Sequence, residues 1–96
     1  MKRKIDYKIQ AKIYKALSNE ARLIIIYALK NRDRTVSELT DIVGFQQSTV
    51  SRHLSILLAV GIVENQKVKN KIYYKLLTPC ILEMFNCVSK VLKSQK

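Results

Sequence analysis

Hydrophobic residues recur at helical spacing through the first part of the chain. Ile5, Ile9 and Ile13 are followed by Ala16 and Leu17, at intervals of mostly three or four residues. This spacing places the side chains on one face of a helix, and the lysines between them repeat on another face. The pattern therefore predicts an amphipathic first helix with a basic stripe.

Two further helices are predicted from their start and stop signals. Ser18 is a suitable N-cap for the segment 19–30, whose almost continuous apolar face predicts a well-buried helix. Thr35 and Glu38 have the spacing of a capping box, and Gly44 stands where a left-handed helix end favours glycine. The helix between these signals is short, about two turns.

The next predicted helix, about residues 47–60, follows a tight turn and ends before Gly61. Two helices joined by so short a turn predict a helix-turn-helix motif, whose second helix is the recognition helix. Residues 62–77 contain two runs rich in β-branched and aromatic residues, separated by Lys69 and Asn70. They predict a β-hairpin, and the lack of an Asn-Gly pair leaves its turn type and register open.

A last helix is predicted over about residues 79–94, with Thr78 as its cap and Pro79 in its first turn. Its apolar stripe consists of Ile81, Met84, Phe85, Val88, Val91 and Leu92. The order of elements predicts a single domain over residues 1–96, mainly α with a small β-hairpin. This is a winged helix-turn-helix fold with additional N- and C-terminal helices, in which residues 62–77 form the wing.

The charge of the chain indicates a polyanionic partner. There are 18 Lys and Arg against 7 Asp and Glu, a net charge of +11. Nucleic acid fits better than a membrane, because the charges are not gathered on one basic amphipathic helix. The longest apolar run, Leu23–Leu29, is far below the roughly 20 residues that a bilayer requires, and lysines interrupt the place of a signal-peptide core. We therefore expect a cytoplasmic protein with no membrane partner.

The predicted recognition helix has two different faces. Val50, Leu54, Leu57 and Leu58 share a face suited to packing, whereas the opposite face carries short polar side chains and Arg52. Exposed helix faces usually carry Glu and Lys, so short hydroxyls and amides indicate close approach to base edges in a major groove, where arginine binds guanine. The predicted base-reading residues are therefore Ser48, Ser51, Arg52 and Ser55, with Gln46 at the start of the helix. The predicted phosphate-attracting residues are Lys67, Lys69, Lys71 and Lys75 of the hairpin, with Arg3 and Lys4 near the N-terminus.

The chain resembles the ArsR-type family of winged-helix transcriptional repressors in ALSNEARLIIIYAL, TVSELTDIVGFQQSTVSRHLSILLAVGIVE and KNKIYYKLLTP. The resemblance covers nearly the whole chain. It implies a homodimer that binds an inverted-repeat operator in double-stranded DNA and that dimerises through the first and last helices. The DNA-facing residues that it implies are Gln47, Ser48, Thr49, Ser51, Arg52 and His53. The implied dimer interface consists of Ile5, Ile9, Ile13, Ile81, Met84, Phe85, Val88 and Val91.

Members of that family often sense metals or persulfides, and the resemblance can be tested position by position. The helix before the turn has no cysteine, the last helix has no histidine, and the segment 19–30 has no cysteine to pair with one in the last helix. These three kinds of sensing site are therefore absent from the sequence. Cys80 and Cys87 remain, roughly 10.5 Å apart on an ideal helix and so too distant for a disulfide within one chain.

Two interpretations of these cysteines stay open. In an antiparallel pair of last helices, Cys80 of one chain approaches Cys87 of the other, and a metalloid, a soft metal or an oxidant can then link the subunits. Alternatively both thiols are simply packed in an apolar interface. We expect no required cofactor, only a thiol-bound metal or metalloid in the first case. His53 fits a structural or hydrogen-bonding role beside the DNA better than a metal site.

Other functions are less well supported. Two glycines cannot form a phosphate-binding loop and a lone histidine has no evident acid partner, so we expect no enzyme. A ligand-independent or architectural double-stranded DNA-binding protein would also explain the net charge. A third alternative is a protein-binding surface on the same scaffold.

Overall fold

The computed structural model describes residues 4–94, which form five helices and three short strands. In chain order these are α1 (Tyr7–Leu17), α2 (Glu20–Ala28), β1 (Arg34–Thr35), α3 (Val36–Val43), α4 (Gln47–Ala59), β2 (Val63–Val68), β3 (Lys71–Leu76) and α5 (Cys80–Ser94). The predicted winged helix-turn-helix architecture is confirmed. None of the helices in the described part of the chain is long and apolar enough to cross a membrane.

The sheet that includes the wing has a further strand, outside the wing itself, that the sequence did not predict. The antiparallel sheet has the order β1-β3-β2, and the short strand β1 pairs Arg34 with Tyr74 and Thr35 with Tyr73. Two residues are too few to display the alternation by which a strand is recognised. The strand exists because the inner strand of the hairpin offers it partners, and it joins the wing to the start of α3.

The turn between α1 and α2 corrects the predicted N-cap. The Asn19 side chain, not that of Ser18, accepts the backbone N–H of Arg22 at 3.2 Å. Ser18 instead ends α1, where its backbone N–H donates to the carbonyl of Lys15 at 3.2 Å. Because one residue closes the first helix and the next opens the second, the two helices meet in a sharp turn.

The two signals around α3 are confirmed. The Thr35 hydroxyl accepts the Glu38 backbone N–H at 3.2 Å, and the Glu38 carboxylate accepts the Thr35 N–H at 2.9 Å. Hydrogen bonds from Thr35 and Arg32 hold the pKa of Glu38 below its ordinary value. Gly44 ends the helix with φ 83°, a conformation that favours glycine. The helix that precedes the recognition helix is therefore closed at both ends.

The start of α5 differs from the prediction. The helix begins at Cys80, with Pro79 just before it, and the Thr78 carbonyl accepts the Ile81 N–H at 3.0 Å. The hydroxyl of Thr78 is buried without a hydrogen-bond partner. Thr78 therefore contributes a backbone carbonyl to this helix, and its predicted side-chain cap is wrong.

The core lies between α2, α3, α4 and the base of the wing. Its fully buried side chains are Ile25, Ile26, Leu39, Val50, Leu54, Leu57, Ile62 and Val63. The predicted central position of α2 and the predicted apolar face of α4 are thus confirmed, with Leu58 half-buried at the edge of that face. Both helices of the helix-turn-helix motif are fixed to this core by packing.

Candidate nucleic-acid interface

The recognition helix α4 presents short polar side chains and one arginine to solvent. Ser48, Arg52 and Ser55 are exposed, and they fall within one side of the helix at intervals of three or four residues. Thr49 and Ser51 flank them and are half-buried. We call Ser48, Ser51, Arg52 and Ser55 the reading face; its members lie on the side of α4 turned away from the core.

The first residues of α4 are exposed as well. Gln46 occupies the N-cap position, but its side chain makes no capping hydrogen bond, and its carbonyl accepts the Val50 N–H at 3.0 Å. The side chains of Gln46 and Gln47 are both exposed. Two amides therefore extend the reading face at the N-terminal end of the helix, where recognition helices contact base edges.

His53 does not belong to this exposed set. Its side chain is 8% exposed and lies on the core side of α4, with Nδ1 3.0 Å from Nη1 of Arg22 in α2. Burial, followed by the charges of Arg22 and Arg52, holds the pKa of His53 below its ordinary value of 6.5. The geometry thus contradicts the inclusion of His53 among the DNA contacts, because the ring faces another helix; it agrees with the expected hydrogen-bonding role.

The wing carries its lysines on exposed positions. Lys67, Lys69, Lys71 and Lys75 are all exposed. The register pairs Lys67 with Ile72 and Val68 with Lys71, so Lys67 and Lys71 lie on opposite faces of the hairpin. The tip thus presents positive charge on both sides. Lys75 is paired with Glu64 in the register of the two strands.

The hairpin turn is unusual at Lys69. The φ angle of this residue is 59°, which lies in the left-handed region that residues other than glycine and asparagine seldom adopt. The neighbouring Asn70, which the composition of the turn favours for such a conformation, is not the residue that adopts it. The lysine therefore occupies the tip of the wing at some conformational cost.

Several arginines make contacts within the chain. Arg22 Nε donates to the Ala16 carbonyl and Arg34 Nε to the Ala28 carbonyl, each at 2.6 Å. Arg32 forms an ion pair with Glu38 at 2.7 Å. The charges left to attract phosphate within the described residues are therefore mostly lysines, on the wing and along α1. The predicted contact Arg3 lies outside the described residues, whereas Lys4 is exposed.

The residues predicted for a dimer interface differ in their exposure. Ile5 and Ile9 are each 58% exposed and Val88 is 57% exposed. Met84 and Val91 are exposed too, whereas Ile13 and Ile81 are half-buried against the core. Phe85 is the exception: it is 8% exposed, and its ring centroid lies 5.2 Å from that of Tyr27 in α2. Phe85 is therefore a core residue of the single chain, because its side of α5 faces α2.

A mostly apolar groove separates α1, α2 and α5. It has a volume of about 380 Å³. Its walls are formed by Tyr14, Leu17, Ser18, Leu23, Tyr27, Met84, Phe85, Val88, Ser89 and Leu92. The groove is continuous with the exposed apolar residues of α5.

Cys80 and Cys87 are free and exposed in the single chain. They share a side of α5 with Met84 and Val91, at intervals of four, three and four residues. Packing within the chain does not bury them. Between residues 4 and 94, no group of three or more His, Cys, Asp or Glu side chains is placed to hold a metal ion.

Sequence reasoning missed Arg22. It is the one cation within the apolar stretch of α2, and the structure places it between the end of α1 and the recognition helix. A charged side chain among buried residues needs a polar partner, so a lone arginine in an apolar helix already indicates a contact within the chain. The identity of the partners depends on helix packing and was not readable.

The family of the chain follows from its similarity to known proteins. Residues 19–65, from the cap of α2 to the first part of β2, match the model of the bacterial regulatory proteins of the arsR family. The HTH-type transcriptional regulator Rv0081 of Mycobacterium tuberculosis is 36% identical over 87 residues, which are 90% of this chain and 76% of that protein. The biofilm growth-associated repressor of Xylella fastidiosa is 29% identical over 86 residues, 90% of this chain and 75% of that protein.

Solved structures agree with this assignment. The crystal structure of Rv0081 has a TM-score of 0.80 at 35% identity and covers 92% of this chain and 89% of its own. A second solved structure is the solution structure of a homodimeric winged helix-turn-helix DNA-binding domain from Mycobacterium bovis, described as a possible ArsR-family regulator. It has a TM-score of 0.78 at 27% identity, and the match covers 99% of this chain and 93% of that domain. The similarity extends through the recognition helix, the wing and the flanking helices, and the chain belongs to the ArsR family of helix-turn-helix transcriptional regulators.

Proposed function

We propose that the chain is a homodimeric repressor that binds an inverted-repeat operator in double-stranded DNA. The observation that carries this proposal is the division of α4. Its apolar side, with Val50, Leu54 and Leu57, is fully buried, and its opposite side exposes Ser48, Arg52 and Ser55. A helix held rigidly by one face and bearing short polar groups on the other is suited to a major groove.

In this proposal the residues of α4 and those of the wing do different work. The reading face and the two N-terminal glutamines contact base edges, and Arg52 donates two hydrogen bonds to a guanine. Lys67, Lys69 and Lys71 contact phosphates, which supply affinity without sequence information. The exposed lysines of α1 add to the positive field that attracts the duplex.

The proposed dimer forms through α1 and α5, whose exposed apolar residues include Ile9 and Val88. The related domain from Mycobacterium bovis is described as homodimeric, which supports the same state here. A twofold axis between two such subunits places the recognition helices in successive major grooves, roughly 34 Å apart. The operator is then an inverted repeat with that spacing.

The test is selection of binding sites from random duplex, followed by competition. We expect an inverted repeat to emerge and to bind at least about a thousandfold more tightly than random duplex at the same salt concentration. Equal binding to every duplex would instead support the architectural alternative. Repressor activity is then measured by transcription from a promoter that carries the selected site.

We further propose that a thiol-reactive compound, a metalloid or a soft metal releases the repressor through Cys80 and Cys87. Both thiols are exposed in the single chain and lie on the side of α5 that carries exposed Met84. Operator affinity is compared before and after treatment with arsenite or peroxide, in the wild type and in the Cys80→Ser, Cys87→Ser double variant. Loss of affinity in the wild type alone supports the proposal, and equal responses contradict it.

A further inference from the structure

One guanidinium connects three helices of the chain. The Nε of Arg22, in α2, donates to the carbonyl of Ala16 in the last turn of α1 at 2.6 Å. Its Nη1 lies 3.0 Å from Nδ1 of His53 in the recognition helix. Both contacts are partly buried. Arg22 therefore makes directional contacts with the end of α1 and with α4 at the same time.

The contact with Arg22 fixes the tautomer of His53. A guanidinium has donors and no acceptor, so Nδ1 accepts and the proton of the neutral ring lies on Nε2. A protonated ring would have no lone pair for Arg22 and would stand 3.0 Å from a second cation. The charges of Arg22 and Arg52, together with burial, lower the pKa of His53 accordingly.

His53 lies on the side of α4 opposite the reading face. It is 8% exposed and borders the fully buried Val50 and Leu57. Apolar packing holds a helix against its neighbours without a preferred direction, whereas a hydrogen bond to a charged donor has a defined geometry. The Arg22 contact therefore restrains the rotation and the sliding of α4 in a way that its apolar face does not.

We propose that Arg22 is a positioning residue for operator recognition, which sets the orientation of α4 relative to α1 through Ala16 and His53. The inference rests on the proposed function, since α1 carries Ile9 and Ile13 of the proposed dimer surface. Because α1 belongs to the dimer surface and α4 to the DNA surface, this orientation determines how the two recognition helices are placed relative to each other. A change in it matters most when both half-sites are bound together.

The test compares two substitutions at His53 that differ in one property. His53→Leu removes the acceptor and keeps an apolar side chain of similar size, and His53→Asn retains an oxygen acceptor near the position of Nδ1. Affinities are measured for the selected inverted repeat, for a single half-site and for random duplex of equal length. We expect His53→Leu to lower the preference for the repeat over the half-site by about tenfold, and His53→Asn to restore most of it.

Two controls separate positioning from a general loss of structure. In His53→Leu, the affinity for random duplex and the dimer dissociation constant should stay as in the wild type. An unchanged preference for the repeat in His53→Leu overturns the positioning role, while the proposed function stands if the wild type prefers the repeat over random duplex. A wild type without any sequence preference overturns both.

A second measurement tests the Arg22–His53 contact itself and needs no variant at His53, so it applies even where His53→Leu fails to fold. Nitrogen NMR of the wild-type imidazole near neutral pH should show an unprotonated Nδ1 and a protonated Nε2. A separate variant, Arg22→Gln, should change the Nδ1 signal, because the charged donor is removed. A proton on Nδ1 in the wild type contradicts the contact and with it the proposal.

Discussion

The recognition helix α4 and the last helix α5 both carry an apolar stripe, but different surroundings cover it. In α4, Val50, Leu54 and Leu57 are completely buried by the same chain. In α5, Phe85 is buried, whereas Val88 and Leu92 are 57% and 64% exposed. The contrast indicates that packing within one chain is enough to orient α4, the helix proposed to contact DNA. The exposed apolar side of α5, by contrast, would be covered by the second subunit of the proposed dimer.

The largest expected effect is on the anchored side of α4. Leu54→Ala should lower the free energy of unfolding by about 2–5 kcal/mol, because it leaves a cavity in the core. Val88→Ala in α5 serves as the control. It should cost less, and its cost should depend on protein concentration because it acts through the dimer. Denaturant unfolding at two protein concentrations measures both. Equal destabilisation of the two variants would remove the contrast between the helices.

The next effect concerns the exposed side of α5. Val88→Asp places a carboxylate in the proposed dimer interface and should raise the dimer dissociation constant at least about thirtyfold, or about 2 kcal/mol. Asn86→Asp adds the same charge on the opposite side of the helix and should change the constant little. Sedimentation equilibrium distinguishes the two outcomes. A dimer that both substitutions weaken alike would place the interface elsewhere.

A comparable effect separates α4 from the wing. Arg52→Ala should reduce the preference for the operator over random duplex by about 1–3 kcal/mol, because the variant cannot donate hydrogen bonds to a base. Lys69→Ala should weaken binding to all duplexes similarly and reduce the slope of log affinity against log salt by about 0.9 for each phosphate that the variant no longer neutralises. Titrations at several salt concentrations measure both quantities. If the two variants weaken all binding alike, the division of work between helix and wing is wrong.

The smallest effect is a pH dependence that belongs to α4. His53 is buried, and this burial, followed by the charges of Arg22 and Arg52, lowers its pKa. Below pH 6.5, the value expected for the unfolded chain, the unfolded chain binds more protons than the folded one. The contribution of His53 to stability is therefore complete above that pH and falls as the pH decreases toward the lowered pKa. The difference between the unfolding free energies of the wild type and His53→Asn should therefore become smaller as the pH is lowered from about 7.5 to about 5. A parallel pH dependence in both would contradict this.

The features that the sequence predicted well depend on neighbouring residues. The capping box of Thr35 and Glu38 and the left-handed end at Gly44 need only a few positions of context, and both are confirmed. The apolar face of α4 follows from its helical period, and Val50, Leu54 and Leu57 are buried as expected. Local geometry alone thus specifies the helix-turn-helix motif and most of its reading face.

The features that the sequence did not predict depend on distant partners. The strand β1 is defined by its pairing with Tyr73 and Tyr74, nearly forty residues further along the chain. His53 lies on the core side of α4, but its partner Arg22 belongs to a different helix, so the helical period of α4 could not identify this contact. Phe85 belongs to the same stripe as the exposed Val88, and its contact with Tyr27 separates them. The helical period identifies an apolar stripe, but it does not show which residues of the stripe are buried within the same chain.

The left-handed backbone of Lys69 has a consequence for the timing of motions in the wing. A non-glycine residue in this conformation stores about 1 kcal/mol of strain, which is released when the turn opens. We therefore expect the hairpin to open first at its tip, because its base is held by Val63 in the core. Amide hydrogens beside Lys69 should therefore exchange sooner than those beside Val63, and hydrogen-exchange measurements check this order.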